Sequence, residues 1–126
     1  MESNLQIGIK HKIEKIILQK DTAVKYGSGT VEVFATPAMI SLMEKTAFES
    51  VSQFLPKGFS TVGTIVNINH IKATPVGQKV ICESELIEID KKKLIFKIIA
   101  NDEKGKIGFG IHTRFIINIS DFMNKI

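Results

Sequence analysis

The segment from Pro37 to about Leu55 is the feature that most constrains what this chain can fold into. Its polar side chains form one narrow stripe at helical spacing, and the rest of its surface is apolar. The stripe consists of Ser41, Lys45, Glu49 and Ser52, and the apolar cover of Ile40, Met43, Ala47, Phe48, Val51 and Phe54. A helix with so little polar surface has to be covered on most sides by other parts of the chain. The pair Thr36-Pro37 predicts its start, with Thr36 as the N-cap, and Pro56-Lys57-Gly58 predicts its end.

After this helix the apolar residues change to a spacing of two, which is typical of strands. We predict strands over residues 60–70, 79–90, 94–101 and 107–117, joined by turns at residues 75–77, 91–93 and 102–105. Residues 7–20 contain a further strand, and residues 21–29 are predicted to be irregular, with a turn at 27–29. A long apolar helix followed by a meander of three or four antiparallel strands predicts an α+β fold in which a curved sheet wraps the helix.

The composition limits the number of domains and the kinds of partner. A chain of 126 residues with 44% hydrophobic and 24% charged residues is typical of one globular domain, so we expect a single domain over residues 1–126. The net charge is +4, but no nucleic-acid-binding motif accompanies it. We find neither a secretory signal nor a membrane span. The one cysteine, Cys82, is predicted to be a small buried residue rather than a nucleophile. We therefore expect a cytoplasmic protein that binds neither nucleic acid nor membrane.

Glu44 lies on the apolar side of the predicted helix, four residues after Ile40 and four before Phe48. A carboxylate in such surroundings is costly unless it is paired, protonated or functional. Two interpretations remain open at this point: a structural hydrogen bond to a neighbouring strand, or a general base in apolar surroundings. Glu49, by contrast, belongs to the polar stripe and is predicted to be solvated.

The remaining candidate residues carry weaker signals. His70 ends the apolar face of its predicted strand, where a core histidine fits the pattern as well as a catalytic one does. His11 and His112 are weaker candidates still. Gly108 and Gly110 are expected to permit a close backbone approach or a bend in the last strand. No set of His, Cys, Asp and Glu has the spacing of metal ligands, so no metal is predicted.

Three separated stretches of the sequence resemble one protein family. They are VFATPAMISLMEKTAFESV, VGTIVNINHIKATPVG and GFGIHTRF, and they cover the chain from about Val33 to Ile117 in the family's order and spacing. The chain is thereby similar to the fluoroacetyl-CoA thioesterase-like hotdog proteins. The resemblance implies the hotdog fold and hydrolysis of a short acyl-CoA thioester to a carboxylic acid and free CoA. Coenzyme A would be part of the substrate, with no separate cofactor.

The resemblance also implies which residues act. In that family a threonine, a glutamate and a histidine form the catalytic set, which corresponds to Thr36, Glu44 and His70 here. The family's glycine that lines the acyl site corresponds to Gly63. Its arginine associated with the bound cofactor portion corresponds to Arg114.

The segment before Thr36 departs from the fluoroacetyl-specific member of the family, which carries an aromatic-rich lid there. Here the segment is short, and its only aromatic residues are Tyr26 and Phe34. We expect Phe34 to contribute to the substrate site, and a small ordinary acyl group to be the substrate. The resemblance further implies a homodimer, or a higher oligomer built from it, with acyl-CoA sites at the subunit interface.

Two other functions on the same fold remain open. A non-catalytic acyl-CoA-binding or regulatory module would bind CoA esters without releasing thiol, and an enoyl-CoA hydratase would act on an unsaturated substrate. In a thioesterase, Glu44 would be a general base or nucleophile, His70 its proton-transfer partner, and Thr36 a nucleophile or an orienting hydroxyl. Backbone amides near Gly63 or at the start of the helix would stabilise the oxyanion.

Overall fold

The computed structural model describes residues 4–126 and shows one long helix packed against a five-stranded antiparallel sheet. The strands are β1 (Lys10–Ile16), β2 (Phe59–His70), β3 (Lys79–Asp90), β4 (Lys93–Asp102) and β5 (Gly105–Asn118). The helices are α1 (Ala23–Tyr26), α2 (Thr36–Ser52) and α3 (Ile119–Asn124), and a 3₁₀ turn spans Gln19–Asp21. The predicted α+β arrangement is confirmed. Residues 1–3 of the predicted domain lie outside the described residues.

The predicted meander is present over three strands, and β2 lies outside it. The order in the sheet is β1-β3-β4-β5-β2, and every neighbouring pair is antiparallel. Strands β3, β4 and β5 follow one another, whereas β2 pairs with β5 and forms one edge of the sheet, with β1 at the opposite edge. The meander of three strands is therefore confirmed, and its extension to a fourth strand is wrong, because alternation of side chains shows which face is buried but not which strands are neighbours.

The core lies between α2 and the face of the sheet that it covers. The helix contacts β1, β2, β3 and β4. Its fully or almost fully buried side chains and those of the sheet include Met39, Met43, Ala47, Val51, Leu86, Leu94, Phe96 and Ile98. Burying one large apolar side chain of this kind stabilises the fold by roughly 1.5–3 kcal/mol. The helix and the sheet therefore depend on each other for stability.

Both the start and the exposed side of α2 differ from the prediction. The N-cap is Ala35, which makes no side-chain cap bond, and Thr36 is the first helical residue. The predicted N-cap role of Thr36 was therefore wrong, and its hydroxyl is free for another partner. The helix ends at Ser52, short of the predicted end. Phe48, predicted to be covered, is 38% exposed.

The segment before α2 is more regular than predicted. Residues 21–29 were expected to be irregular, but they include α1. Thr22 caps this short helix by accepting a hydrogen bond from the Lys25 amide, and Gly27 closes it with a φ of 70°. The predicted glycine turn is thus confirmed, whereas α1 and the terminal helix α3 were missed.

A β-bulge at Thr64 changes which residues of β2 share a face. The register between β2 and β5 shifts just after Gly63, so Thr64 is the extra residue. Gly63 pairs with Arg114 and His70 pairs with Gly108, both on the face of β5 that points toward α2. Strict alternation, which put Gly63 and His70 on opposite faces, was wrong at the bulge.

Gly108 and Gly110 allow the predicted close approach. A Cβ atom on Gly108 would lie 2.6 Å from the sulfur of Met39 in α2, and one on Gly110 would overlap the backbone oxygen of Asn67 in β2. The Met39 side chain can move aside, but the β2 backbone cannot do so without breaking its pairing with β5. The absence of a side chain at Gly110 therefore allows β2 to pair with β5 at this position.

Replacing Gly110 with alanine is expected to destabilise the protein, because the added methyl group overlaps backbone rather than a flexible side chain. We expect the free energy of unfolding to fall by at least about 1–3 kcal/mol, the usual cost of overpacking, in urea or thermal unfolding. Gly29→Ala is the control, since its Cβ would meet only that of Ala23, at 3.3 Å. An unchanged free energy of unfolding in Gly110→Ala would contradict this account.

Candidate active site

The first residue of α2 and the last residue of β2 are joined by a hydrogen bond. Thr36 Oγ1 and His70 Nδ1 are 2.7 Å apart, although the two residues are 34 positions apart in the sequence. The buried ring of Phe34 meets the imidazole edge-on, with 6.4 Å between ring centroids. The structure thus brings together three of the predicted site residues.

A cavity of about 410 Å³ opens beside this pair. Its walls come from the segment before α2, from the first residues of α2 and from the loop after β2. The lining includes Ala23, Val31, Val33, Phe34, Thr36 and His70. Because the N-cap of α2 makes no side-chain bond, amide groups of the first helical turn are also free of a side-chain cap here. A cavity of this size and lining suits a small, mostly apolar ligand.

The environment of His70 favours its neutral form. Burial lowers the pKa of His70, and the backbone of Lys72 shifts it in the opposite direction. A neutral imidazole that carries its proton on Nε2 accepts the hydrogen bond from the Thr36 hydroxyl at Nδ1. A hydroxyl held 2.7 Å from a neutral imidazole nitrogen has the geometry of a nucleophile and its base.

Glu44 belongs to a second cluster. Its Oε2 atom lies 3.5 Å from Nη1 of Arg114 and 3.9 Å from Nε2 of His112, both on β5. A Cβ atom on Gly63 would lie 2.6 Å from the same oxygen, so a side chain there would displace the carboxylate from this position. The Glu44 side chain is 42% exposed. The bond to a neighbouring strand, one of the two interpretations left open by the sequence, is thus present through Arg114 of β5, and the role of general base stays a prediction.

Arg114 is almost fully buried and bonds within its own chain. Its Nε donates to the hydroxyl of Thr61 at 2.8 Å and its Nη2 to the Thr61 carbonyl at 2.9 Å. Nη1 faces His112 and Glu44. The ring of Phe48 lies 5.9 Å from the guanidinium carbon, within reach of cation–π attraction. These contacts hold the guanidinium within its own chain with Nη1 beside Glu44, and the association with the bound cofactor portion that the resemblance implies stays a prediction.

Sequence reasoning undervalued His112. This histidine is 1% exposed and lies at the centre of the second cluster. It stands two residues before Arg114, so both side chains project from the same face of β5. That spacing was the available signal, but Ile107, Phe109 and Ile111 make the opposite face the more apolar one in the sequence.

Within one chain the two clusters are separate. Thr36 and Glu44 are eight residues apart on α2, which corresponds to about 12 Å along the helix axis. His70 and Gly63 stand toward different ends of β2. A single subunit therefore brings Thr36 and His70 together but leaves Glu44 with the second cluster.

Two other candidate residues, Cys82 and His11, lie away from the Thr36–His70 pair and make contacts typical of structural residues. Cys82 is buried, as predicted, and burial raises the pKa of its thiol to about 11. His11 contacts Glu49 of the polar stripe at 3.2 Å.

Within residues 4–126, no three His, Cys, Asp or Glu side chains are grouped so that they could hold a metal ion. In the same part of the chain, no helix has the length and apolar character needed to cross a membrane.

Comparisons with known proteins point to one family. The family described as FlK, fluoroacetyl-CoA-specific thioesterase, matches residues 17–120. The fluoroacetyl-CoA thioesterase of Streptantibioticus cattleyicolor is 34% identical over 95 residues, which are 75% of this chain and 68% of that protein.

Solved structures agree with this assignment. The fluoroacetyl-CoA thioesterase FlK superposes with a TM-score of 0.92 at 27% identity, over 97% of this chain and 95% of that chain. Mutants of FlK have been solved with fluoroacetate and CoA and with acetyl-CoA. A hot-dog-like protein from Thermanaerovibrio acidaminovorans superposes with a TM-score of 0.87 at 22% identity, over 96% of this chain and 89% of that chain. The hotdog fold implied by the sequence is therefore confirmed.

The matched region contains both clusters and the cavity. The resemblance seen in the three sequence stretches is confirmed by the family match, by the curated relative and by the structural superposition. The chain belongs to the fluoroacetyl-CoA-specific thioesterase family, whose members are acyl-CoA thioester hydrolases.

Proposed function

We propose that this protein is a dimeric hydrolase that cleaves short acyl-CoA thioesters at sites built from two subunits. The observation that carries the proposal is the 2.7 Å hydrogen bond between Thr36 and His70 beside the cavity. This pair lies about 12 Å along α2 from Glu44. Family membership supports the reaction, and the separation of the two clusters supports a site that is completed by a second copy of the chain.

The edge strand β2 supports the dimer. Residues 59–69 contain no charged residue and no proline, although such residues commonly protect a strand edge from pairing. On this strand Ile65 is 59% exposed and Val66 is 43% exposed, and Phe48 of α2 is 38% exposed. Antiparallel pairing with the β2 strand of a second copy would cover apolar surface and satisfy the free backbone groups of the edge.

One register of such a pair would join the two clusters. With a two-fold axis at Asn67, Val66 faces Ile68 of the partner subunit, so apolar side chains meet across the interface. In the same register His70 lies opposite the Thr64 bulge of the partner subunit. An axis near the middle of β2 therefore brings the end of one strand to the bulge of the other.

The bulge adjoins Gly63, and Gly63 adjoins the Glu44 carboxylate. The proposed dimer therefore brings Glu44 of one subunit to the Thr36–His70 pair of the other. Each of its two sites would hold a nucleophile and a base from one chain and a carboxylate from the second.

The chemistry follows from these positions. The Thr36 hydroxyl attacks the thioester carbonyl carbon, and His70 accepts its proton and returns it to the CoA sulfur as the C–S bond breaks. The acyl group is then an ester on Thr36. Glu44 of the partner subunit accepts a proton from the water that attacks this ester and passes it to the Thr36 oxygen, releasing the carboxylic acid. Amides at the start of α2 would bind the carbonyl oxygen as its negative charge develops.

The cavity and the segment before α2 bear on the substrate. A volume of about 410 Å³ suits a short acyl group with the adjoining part of the thioester. Of the two aromatic residues in that segment, Tyr26 is 48% exposed and Phe34 is buried against His70. We expect kcat/KM for fluoroacetyl-CoA and acetyl-CoA to lie within about tenfold of each other in a thiol-release assay. A ratio of several orders of magnitude would show that discrimination needs no aromatic-rich lid.

Glu44→Gln removes the carboxylate with little change in shape. We expect kcat to fall by about a hundredfold or more with a nearly unchanged melting temperature. Acyl-enzyme should accumulate in intact-mass spectra, because deacylation is the step that needs Glu44. A melting temperature that falls while activity persists would show that Glu44 is structural. An inactive variant without the adduct would favour direct attack by water.

Glu49→Gln is the matched control for this experiment. Glu49 lies on the same helix, is half-buried and contacts His11 at 3.2 Å. We expect kcat near that of the wild type and a change in stability of no more than about 0.5 kcal/mol.

Mixed dimers test whether the site is shared. Thr36→Ala and Glu44→Gln homodimers are each expected to be almost inactive. After joint dissociation and reassociation, half of the dimers contain one subunit of each kind and regain one intact site. Activity should recover to about a quarter of the wild-type value. If native mass spectrometry shows complete subunit exchange and activity does not recover, the three residues do not act across the interface.

A further inference from the structure

His112 is almost inaccessible to solvent, and both of its ring nitrogens have polar contacts. Nδ1 lies 2.8 Å from the carbonyl oxygen of Ile65 in β2, and Nε2 lies 3.1 Å from Nη1 of Arg114. The ring of Phe96 in β4 packs near the imidazole at 6.5 Å between centroids. The ring cannot turn over without losing both polar contacts.

These two contacts define the protonation state. A carbonyl oxygen only accepts, so Nδ1 has to carry the proton, and a guanidinium nitrogen only donates, so Nε2 has to offer its lone pair. A protonated ring would direct an N–H group at the guanidinium. Burial lowers the pKa of His112, the Ile65 carbonyl opposes this shift, Arg114 adds to it and Glu44 opposes it. The neutral form with the proton on Nδ1 satisfies both hydrogen bonds, and the Glu44 carboxylate is farther from Nε2, at 3.9 Å.

We propose that neutral His112 is a positioning residue for catalysis, which holds Arg114 so that Nη1 faces the Glu44 carboxylate. The proposal rests on the proposed function of Glu44. Nη1 is the shared atom, at 3.1 Å from His112 and 3.5 Å from Glu44. The opposite edge of the guanidinium is held by Thr61, so His112 is the acceptor that fixes the edge nearer Glu44.

The geometry explains why Glu44 needs this support. Its contact with Arg114 is long, at 3.5 Å, and its side chain is 42% exposed. The place of the carboxylate therefore depends on where the guanidinium is held and on the space left by Gly63. Without an acceptor on His112, only the two bonds to Thr61 would hold the guanidinium, and the edge that carries Nη1 could tilt away from the carboxylate.

The tautomer can be measured in the resting wild-type protein. Two-bond ¹H–¹⁵N correlations distinguish protonation at Nδ1 from protonation at Nε2. Signals of the three histidines can be assigned with the His11→Asn and His70→Asn variants. We expect His112 to be neutral with its proton on Nδ1 throughout the neutral pH range. A proton on Nε2, or a doubly protonated ring at neutral pH, would overturn the proposal without any measurement of hydrolysis.

The kinetic test uses His112→Asn. Its side-chain amide can still donate toward the Ile65 carbonyl but offers Arg114 no acceptor at the Nε2 position. We expect kcat to fall by about tenfold or more, the scale of a misplaced catalytic group, with KM within about twofold. In a Glu44→Gln background the same substitution should lower kcat no further. His11→Asn is the control: its ring contacts Glu49 rather than Glu44, so kcat should remain unchanged.

The outcomes separate this inference from the proposed function. Wild-type kcat in His112→Asn, together with an inactive Glu44→Gln, overturns the role of His112 and leaves the proposed function in place. An equal loss of kcat in both backgrounds also overturns it, because His112 would then act independently of Glu44. A fully active Glu44→Gln overturns both. If His112→Asn does not fold, the wild-type tautomer decides.

Discussion

Helix α2 has so little polar surface that it is stable only when the sheet covers it. This packing determines where each reactive group of the helix lies. Its first residue is carried to the end of β2, where the Thr36 hydroxyl meets His70 at 2.7 Å. Two turns later the same helix carries Glu44 past Gly63 and Arg114. The packing that stabilises the fold therefore also sets the distance between the two clusters, since both are fixed to one rigid helix.

The Glu44 carboxylate can lie close to the core because a few polar side chains surround it and one of them, Arg114, donates toward it. Arg114 supplies a positive charge whose other donors are satisfied by Thr61, and His112 accepts from the same guanidinium. Gly63 contributes only space. Buried polar groups of this kind favour one arrangement when every partner is present and become costly when one is removed. The carboxylate is left with one side open to solvent in the single chain, which is the side available to a substrate or to a second subunit.

Much of the fold could be predicted from the sequence, because helical and strand periodicities report directly on burial. The long helix, the strands of the sheet and the close approach at Gly108 and Gly110 all follow from local patterns. The place of β2 beside β5 and the bulge at Thr64 could not be predicted, because both are set by pairing with a distant segment. The Thr36 hydroxyl illustrates the same limit.

Thr36 has the residue type and the neighbour expected of an N-cap, yet the chain enters α2 one residue earlier. Only the tertiary structure shows that its hydroxyl bonds to a histidine 34 residues away. His112 could not be identified from the sequence for a similar reason. Its proposed role depends on the guanidinium of Arg114, and the sequence does not show which face of β5 the helix covers.

The uncharged edge of β2 would be a hazard in a monomer, since a long unprotected edge can pair with any exposed strand. In the proposed dimer the same edge has a specific use. His70 and Gly63 lie on either side of its centre. Antiparallel pairing would therefore bring His70 of each subunit close to Gly63 of the other and form two equivalent sites. Register then matters: a slip of two residues would move His70 by about 7 Å relative to the opposing bulge. Because the bulge at Thr64 bends β2 at one position, it would disfavour slipped registers of the proposed pair. The Thr64 bulge, which made the prediction from strict alternation wrong, would thus help to specify which dimer forms. It would thereby also set the distance between the Thr36 hydroxyl and the Glu44 carboxylate.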